Sequence, residues 1–289
     1  MEQSLLSVIV ANYNNERYIR ECLDSILCQS YDDLEIIISD DCSTDSSPGI
    51  IREYVNKYPG KIKAIYSPVN QGVAQTRHDA ILNANGDYIT TLDSDDYYYE
   101  PHKLQKEMEL AAYYISKNKD IIAFSNIVLV NDNKTLIGIW GNPENIKEGI
   151  IMNQILTRTC MIPRDFVMKK QIYFDVGGYD ARFPIYEDWD LKIRLSARFE
   201  FYYTGINGTA YRRHGMGLSA SPFPKHIKWL KKIFEKNRDL ILKSQKKEIE
   251  KEFKNFIKTT KSLPPAAKNP FEKVFLDFLK LLLLKRTLS

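Results

Sequence analysis

Asp93, Asp95 and Asp96 place three carboxylates within four positions, directly after the β-branched and aromatic run Tyr88-Ile-Thr-Thr-Leu92. That run reads as a buried strand. If the chain stays extended, Asp93 and Asp95 project to one side and Ser94 and Asp96 to the other. Ionised carboxylates this close repel, and burying them unpaired is costly. A divalent cation that prefers hard oxygen ligands, Mn²⁺ or Mg²⁺, resolves the conflict. At the carboxyl end of a strand in an open α/β sheet, such a cluster lies where ligands bind. The competing reading is a solvated acidic turn.

The elements that must position this cluster alternate. Ser7–Ala11 and Leu34–Ser39 read as short apolar strands and Lys61–Tyr66 as a third, with helices expected over Glu16–Gln29, Pro48–Tyr58 and Val73–Asn83. Strand and helix at this spacing predict a mostly parallel sheet. The first strand-to-helix turn, Asn12-Tyr13-Asn14-Asn15, contains no glycine. The dinucleotide fingerprint and the Walker loop are therefore absent, and phosphates need another anchor, for which the acidic cluster with its metal is the candidate.

With 289 residues, 44% hydrophobic and 27% charged, the chain is ordinary globular material. The net charge of +4 hides an asymmetry: residues 225–289 hold 18 Lys/Arg against 7 Asp/Glu, and residues 1–224 hold 23 against 30. An acidic body with a basic tail suggests that the tail meets an anionic surface. Cys22, Cys28, Cys42 and Cys160 form neither a Cys-x-x-Cys pair nor a zinc spacing, and read as thiols of a reducing compartment. The start, Met-Glu-Gln-Ser, lacks a basic n-region, so no signal peptide is expected. No run of about eighteen apolar residues predicts a membrane-spanning helix. These readings point to a cytoplasmic protein, peripheral at the inner face of the cell membrane if the tail binds there.

Four segments together resemble glycosyltransferase family 2: Ser7-Val-Ile-Val-Ala-Asn-Tyr-Asn14, Ser39-Asp-Asp-Cys-Ser-Thr-Asp45, Asn70-Gln-Gly72 with Arg77, and Leu92-Asp-Ser-Asp-Asp96. The resemblance covers roughly residues 5–220. It implies an α/β GT-A fold, a Rossmann-like nucleotide-binding half with a mixed, mostly parallel central sheet, and an inverting, metal-dependent transferase using nucleoside diphosphate sugars. In residue terms it implies that Asn12, Tyr13 and Asp41 hold base and ribose. Arg77 would lie near the base or pyrophosphate, where without the motif it reads equally as a helix-surface arginine; Asp93 and Ser94 would lie at the donor, and Asp95 on the metal. Asp96 would exchange roles with Asp95 after a shift of one residue.

Downstream, Pro101–Ser116 reads as a helix. Ile121–Val130 and Leu136–Trp140 around Asn131-Asp-Asn133 read as a hairpin, and Gly141–Ile150 as a loop near substrate. Gly177-Gly-Tyr-Asp180 followed by Glu187-Asp188 extends the resemblance, which makes Asp188 the general base. The chemistry asks for such a group, because the acceptor hydroxyl must lose a proton as it attacks the anomeric carbon. Taken alone, Glu187 and Asp188 read as acids favoured in a helix's first turn. The segment Thr209–Ser219 resembles the family's closing strand and loop, with His214 as a third metal ligand or diphosphate contact, or equally a polar loop histidine. Arg212 and Arg213 face phosphate or solvent, and Trp189 stacks on acceptor or packs in the core.

The expected organisation is a catalytic domain over 1–224, with a nucleotide-sugar half (1–100) and an acceptor half (101–224), then a basic helical C-terminal extension over 225–289. Helices are expected over Lys225–Lys258 and Pro270–Lys285, separated by Leu263-Pro264-Pro265. The last has an apolar side edged by lysines and suits either an anionic membrane surface or packing on protein. No nucleic-acid module is present, so no such partner is expected. The predicted activity is transfer from a nucleoside diphosphate sugar, UDP-linked by resemblance, to a glycan hydroxyl, with a lipid-linked acceptor for a surface polysaccharide if the tail binds membrane. The sugar moved would be a hexosyl or N-acetylhexosaminyl unit. The alternatives are a nucleotidyltransferase that makes a nucleotide sugar, or a non-catalytic protein that binds one.

Overall fold

The computed structural model describes residues 4–140, 146–214 and 223–261. Strand β1 (Leu6–Asn12) is buried along its whole length. It lies parallel to β2 (Leu34–Asp40) on one side and to β4 (Tyr88–Asp93) on the other, with β3 (Ile62–Tyr66) parallel and outside β2. Burial on both faces is why these strands read as continuous apolar runs rather than alternating ones. The chain builds outward from β1 to β3 and then returns to the other side of β1 for β4. The order therefore reverses at the carboxyl ends of β1 and β4, the crevice where open α/β sheets bind ligands. Register places Ala11 opposite Asp93 and Asn12 opposite Asp40.

Helices α1 (Ile19–Leu27), α2 (Ser47–Lys57) and α3 (Val73–Leu82) connect these strands. The first was expected to begin at Glu16. It begins later because the amide N–H groups of Asn14, Asn15 and Glu16 donate to the side chains of Ser43, Ser47 and Asp45, which fixes a non-helical turn. The extended geometry expected through Asp95 and Asp96 is also overturned. The chain turns at Asp93, whose carbonyl accepts the Asp96 N–H at 3.0 Å, and the three carboxylates converge instead of alternating.

A second sheet follows: β5 (Tyr97–Tyr98), helix α4 (Lys103–Ile115), and the hairpin of β6 (Ile121–Val130) and β7 (Leu136–Trp140). Helix α5 (Met152–Leu156), strand β8 (Met168–Lys169), α6 (Lys170–Asp175), α7 (Glu187–Ser196) and β9 (Glu200–Arg212) complete it. The order is β5-β9-β6-β7, with β6 and β9 parallel, while β8 closes the first sheet antiparallel to β4. Of the loop expected over Gly141–Ile150, residues 141–145 lie outside the described residues.

The tail differs from expectation. The single helix over Lys225–Lys258 is two, α8 (Phe223–Asn237) and α9 (Lys246–Lys261), with a 3-10 turn at Arg238–Leu240 between them. The break follows from packing: Asn237 turns its amide to buried Asp190, and Phe253 of α9 folds back to stack on Phe234 of α8 at 3.9 Å. Ile227, Leu230, Ile233, Ile249, Phe253 and Ile257 share one core with Trp189 and Leu191. Residues 225–261 thus pack as part of the body, and the boundary expected at 224/225 has one core on both sides. The Leu263–Pro265 break and the Pro270–Lys285 helix lie outside the described residues. Among the described helices, none is long and apolar enough to cross a membrane.

Candidate active site

The floor of the crevice is made by the ends of β1 and β2. The Asn12 side-chain amide donates to Asp40 Oδ2 at 2.7 Å and to Ser43 Oγ at 3.2 Å, leaving its own Oδ1 buried without a hydrogen-bond partner among the described residues. An orphaned buried acceptor in a ligand crevice is costly unless a ligand donates to it. Tyr13 stands half exposed at the edge. Asp41 is buried, and its two oxygens accept the N–H groups of Gln71 (2.7 Å) and Gly72 (2.8 Å), tying the second strand to the start of α3. Gly72 leads into that helix at φ +88°, a conformation that suits glycine. Asn14 (φ 52°) and Cys42 (φ 64°) are also left-handed, so both turns beside the crevice hold backbone strain of the kind found at functional sites.

One oxygen from each of Asp93, Asp95 and Asp96 falls within 4.8 Å of the others. The donor set is all oxygen and anionic, which fits a hard divalent cation. The three are not equivalent. Asp93 is gripped by Arg77 and by Arg164, the latter at 2.5 Å. Asp96 is buried, bonded by Arg164 at 3.0 Å and by the Arg212 N–H at 2.8 Å. The Asp95 carboxylate bonds His214 Nε2 at 2.9 Å and, among the described residues, no arginine or lysine side chain. His214 in turn packs on Tyr18, ring centroids 5.2 Å apart. Asp95 is therefore the carboxylate most open to a cation. Burial raises the Asp93 carboxyl, but the guanidiniums of Arg164 and Arg77 outweigh it and hold the group below its ordinary value. Burial, followed by the Asp95 charge, pushes Asp96 well above its own.

Helix α7 carries the acidic pair. Its entry residue, Tyr186, has φ 67°, and its hydroxyl lies 2.8 Å from His226 Nδ1 of α8. Of the upstream glycines, Gly178 has a steric reason. A Cβ on Gly178 (φ +63°) would stand 2.7 Å from the Tyr173 ring, whose hydroxyl accepts the Tyr179 N–H. Glu187 reaches across the crevice to Arg77 at 2.5 Å, and Asp188 pairs with Lys192, one turn on, at 2.8 Å. Burial raises the Asp188 carboxyl, yet Lys192 and then Arg164 bring it well below its ordinary range, so it is ionised near neutrality. Asp93 and Asp188 each lie in the other's electrostatic surroundings, with Arg77 and Arg164 shared between them.

Of the residues singled out in the sequence, Asp41, Arg77, Asp93, Ser94, Asp95, Asp188 and His214 thus lie on the crevice or its supports. Ser94 is buried and accepts the Asn15 amide at 2.7 Å. Arg77 differs from the expectation of a phosphate contact: its side chain is 2% exposed, and its guanidinium is spent on Asp93 and Glu187 beneath the crevice. Trp189 is buried with its indole N–H on the Ile155 carbonyl, a core role rather than an exposed stacking face. Arg212 reaches Glu21 and the Asp95 carbonyl rather than open solvent. Sequence reasoning missed Arg164, which follows Pro163 in no recognisable motif. It also missed the support under α7, where fully buried Asp190 is bonded by Arg194, Lys236 and Asn237. The four-residue spacing of Asp188–Lys192 and Asp190–Arg194 was the available signal for part of it.

The family profile described as Glycosyl transferase family 2 matches residues 7–174. EpsE of Bacillus subtilis (strain 168) is 31% identical over 204 residues, covering 70% of this chain and 69% of EpsE. Rv1520 of Mycobacterium tuberculosis, an uncharacterised protein, is 28% identical over 226 residues, 78% of this chain; the chain spans 63% of the length of that relative. The structure of S. aureus TarS in complex with UDP-GlcNAc superposes with a TM-score of 0.66 at 21% identity, over 87% of this chain and 72% of that one. The fold is accordingly the expected α/β GT-A fold. Profile match, relatives and fold agree with the motif order along the crevice: the chain belongs to glycosyl transferase family 2.

Proposed function

We propose that this chain transfers a sugar from a nucleoside diphosphate donor to a hydroxyl of a glycan acceptor, with inversion, and that Asp188 is the general base. The observation that carries the reading is the carboxylate cluster Asp93/Asp95/Asp96 at the strand-order reversal, joined through Arg77 to the helix start that holds Asp188. Asn12, Tyr13, Asp41 and Ser94 would shape the nucleoside end, and Asp93 the sugar-ribose end. Asp95, with His214 beside it, would hold Mn²⁺ or Mg²⁺. When bound, the ion supplies charge neutralisation for the departing diphosphate. The acceptor oxygen bonds to the anomeric carbon as the carbon–oxygen bond to the diphosphate breaks, and the hydroxyl proton passes to an Asp188 carboxylate oxygen. Arg77 acts as a positioning residue, fixing Asp93 and Glu187 against each other.

The TarS complexes with UDP and UDP-GlcNAc support a UDP-linked hexosyl or N-acetylhexosaminyl donor. The basic balance of residues 225–289 supports a lipid-linked acceptor at the inner face of a membrane. The nucleotidyltransferase reading is disfavoured by the first turn, whose Asn14 and Asn15 N–H groups are already taken by Ser43 and Ser47 and cannot cradle phosphates. Calorimetric titration of UDP, GDP and dTDP, each with and without Mn²⁺, tests the proposal. It expects one nucleotide to bind tightly, and only with metal. Failure of all three to bind would leave a non-catalytic role as the better account.

A further inference from the structure

Arg164 stands where a cation would be expected. Its Nη2 forms an ion pair with Asp93 Oδ2 at 2.5 Å and donates to Asp96 Oδ2 at 3.0 Å, bridging two of the three clustered carboxylates. The other oxygen of Asp93 is held by Arg77 and that of Asp96 by the Arg212 N–H. All four carboxylate oxygens of these two residues are therefore engaged by protein donors, and among the described residues the Asp95 carboxylate alone of the three meets neither an arginine nor a lysine side chain. The Arg164 backbone is fixed, since its carbonyl accepts the Thr91 hydroxyl and the next carbonyl, of Asp165, accepts the Lys103 ammonium. The side chain lies beside the Tyr211 ring and is 26% exposed, so its guanidinium reaches the open side of the cluster.

We infer that Arg164 is a built-in counter-ion that makes divalent-metal binding depend on the donor. The inference rests on the reading of this cluster as a metal site. With Arg164 in place, a divalent ion meets one open carboxylate and a nearby positive charge, and its affinity is low. A diphosphate supplies the missing oxygen ligands, as is usual for ions held by one or two carboxylates. It also gives the guanidinium a further anionic partner of matching geometry. Metal and nucleotide then bind with positive coupling, and by linkage each strengthens the other equally.

The test is calorimetric Mn²⁺ titration of the full chain, with and without saturating UDP, for wild type, Arg164→Met and Arg164→Lys, with thermal unfolding of each to confirm folding. Wild type is expected to bind Mn²⁺ at least tenfold more tightly with UDP than alone. Arg164→Met should bind Mn²⁺ alone at least tenfold more tightly than wild type does, with the UDP coupling reduced and the melting temperature raised by Mn²⁺. Arg164→Lys keeps the charge and should behave as wild type. If Arg164→Met gains no Mn²⁺ affinity, or gains no more than Arg164→Lys, the counter-ion role is overturned while UDP-dependent metal binding by wild type leaves the site reading standing. Equal Mn²⁺ affinity of wild type with and without UDP also overturns it. Absence of Mn²⁺ binding under every condition removes the metal site itself.

Discussion

Arg77→Met removes the cation that pairs Asp93 of the donor strand with Glu187 of the base-bearing helix while keeping much of its bulk. Arg77 is 2% exposed and its partner Glu187 is 6% exposed. Breaking a buried pair by deleting one member costs about 3–5 kcal/mol, because a charge is left uncompensated. Asp93 retains Arg164, so the loss falls mainly on Glu187, and the lower end, about 3 kcal/mol, is expected. Against a typical total of about 5–15 kcal/mol this is a large fraction. The pH dependence identifies the cause. Burial already raises the Glu187 carboxyl above its reference of 4.5, with Arg77 opposing it, so without Arg77 the shift grows. For a carboxyl raised in the folded state, it is the ionised form that the fold disfavours. The extra destabilisation is therefore full above the raised folded value and disappears below about 4.5, where Glu187 is protonated folded or unfolded. Urea denaturation at pH 7.5 and pH 5 should show a clearly smaller loss at pH 5. The double variant Arg77→Met/Glu187→Gln should recover most of it at pH 7.5. A loss under about 1 kcal/mol at pH 7.5, or an equal loss at both pH values with no recovery in the double variant, would refute the charge argument and leave packing as the cause.

Two further outcomes follow from buried charge elsewhere. Glu107, fully buried between Lys103 and Ser125, is raised to about 7, burial outweighing the Lys103 charge. Wild-type stability should fall as pH rises from about 4.5 to about 7, by an amount of the order of 3 kcal/mol, and Glu107→Gln should flatten that slope in denaturation across the same window. Lys236→Met cuts the tie from α8 to Asp180 and Asp190 while Arg194 and Asn237 still hold Asp190. It should lower sugar-transfer kcat several-fold with nucleotide affinity unchanged; an unchanged kcat would mean that the Lys236 ion pairs do not position α7.

The legible part of the fold is the part encoded locally. β1, β2 and β4 are runs buried on both faces, so their residues announce them. Asp93 and Asp95 stand out because like charges at a strand end need a reason, and Asp188 because Gly177-Gly-Tyr-Asp180 followed by Glu187-Asp188 resembles the family pattern, whereas alone the pair reads as acids of a helix's first turn. What stayed hidden depends on partners distant in sequence. Arg77 looks like a surface residue of α3 until Glu187, 110 positions on, folds over it. Arg164 has no neighbouring motif and acquires meaning only from Asp93 and Asp96. The division of the tail into α8 and α9 is set by Asn237 turning toward Asp190 and by Phe253 stacking on Phe234. Helical periodicity alone runs through that break.

The central claim is that Asp188 removes the acceptor proton in a site where other residues hold the donor. Asp188→Asn keeps the shape and loses the basic oxygen. Measured with the nucleotide that titration selects and its sugar donor, this variant is predicted to lose transfer by a factor of about 10²–10⁴. Its affinity for the nucleotide should stay within about threefold of wild type. Transfer at the wild-type rate would contradict the assignment of the base and, with it, the mechanism.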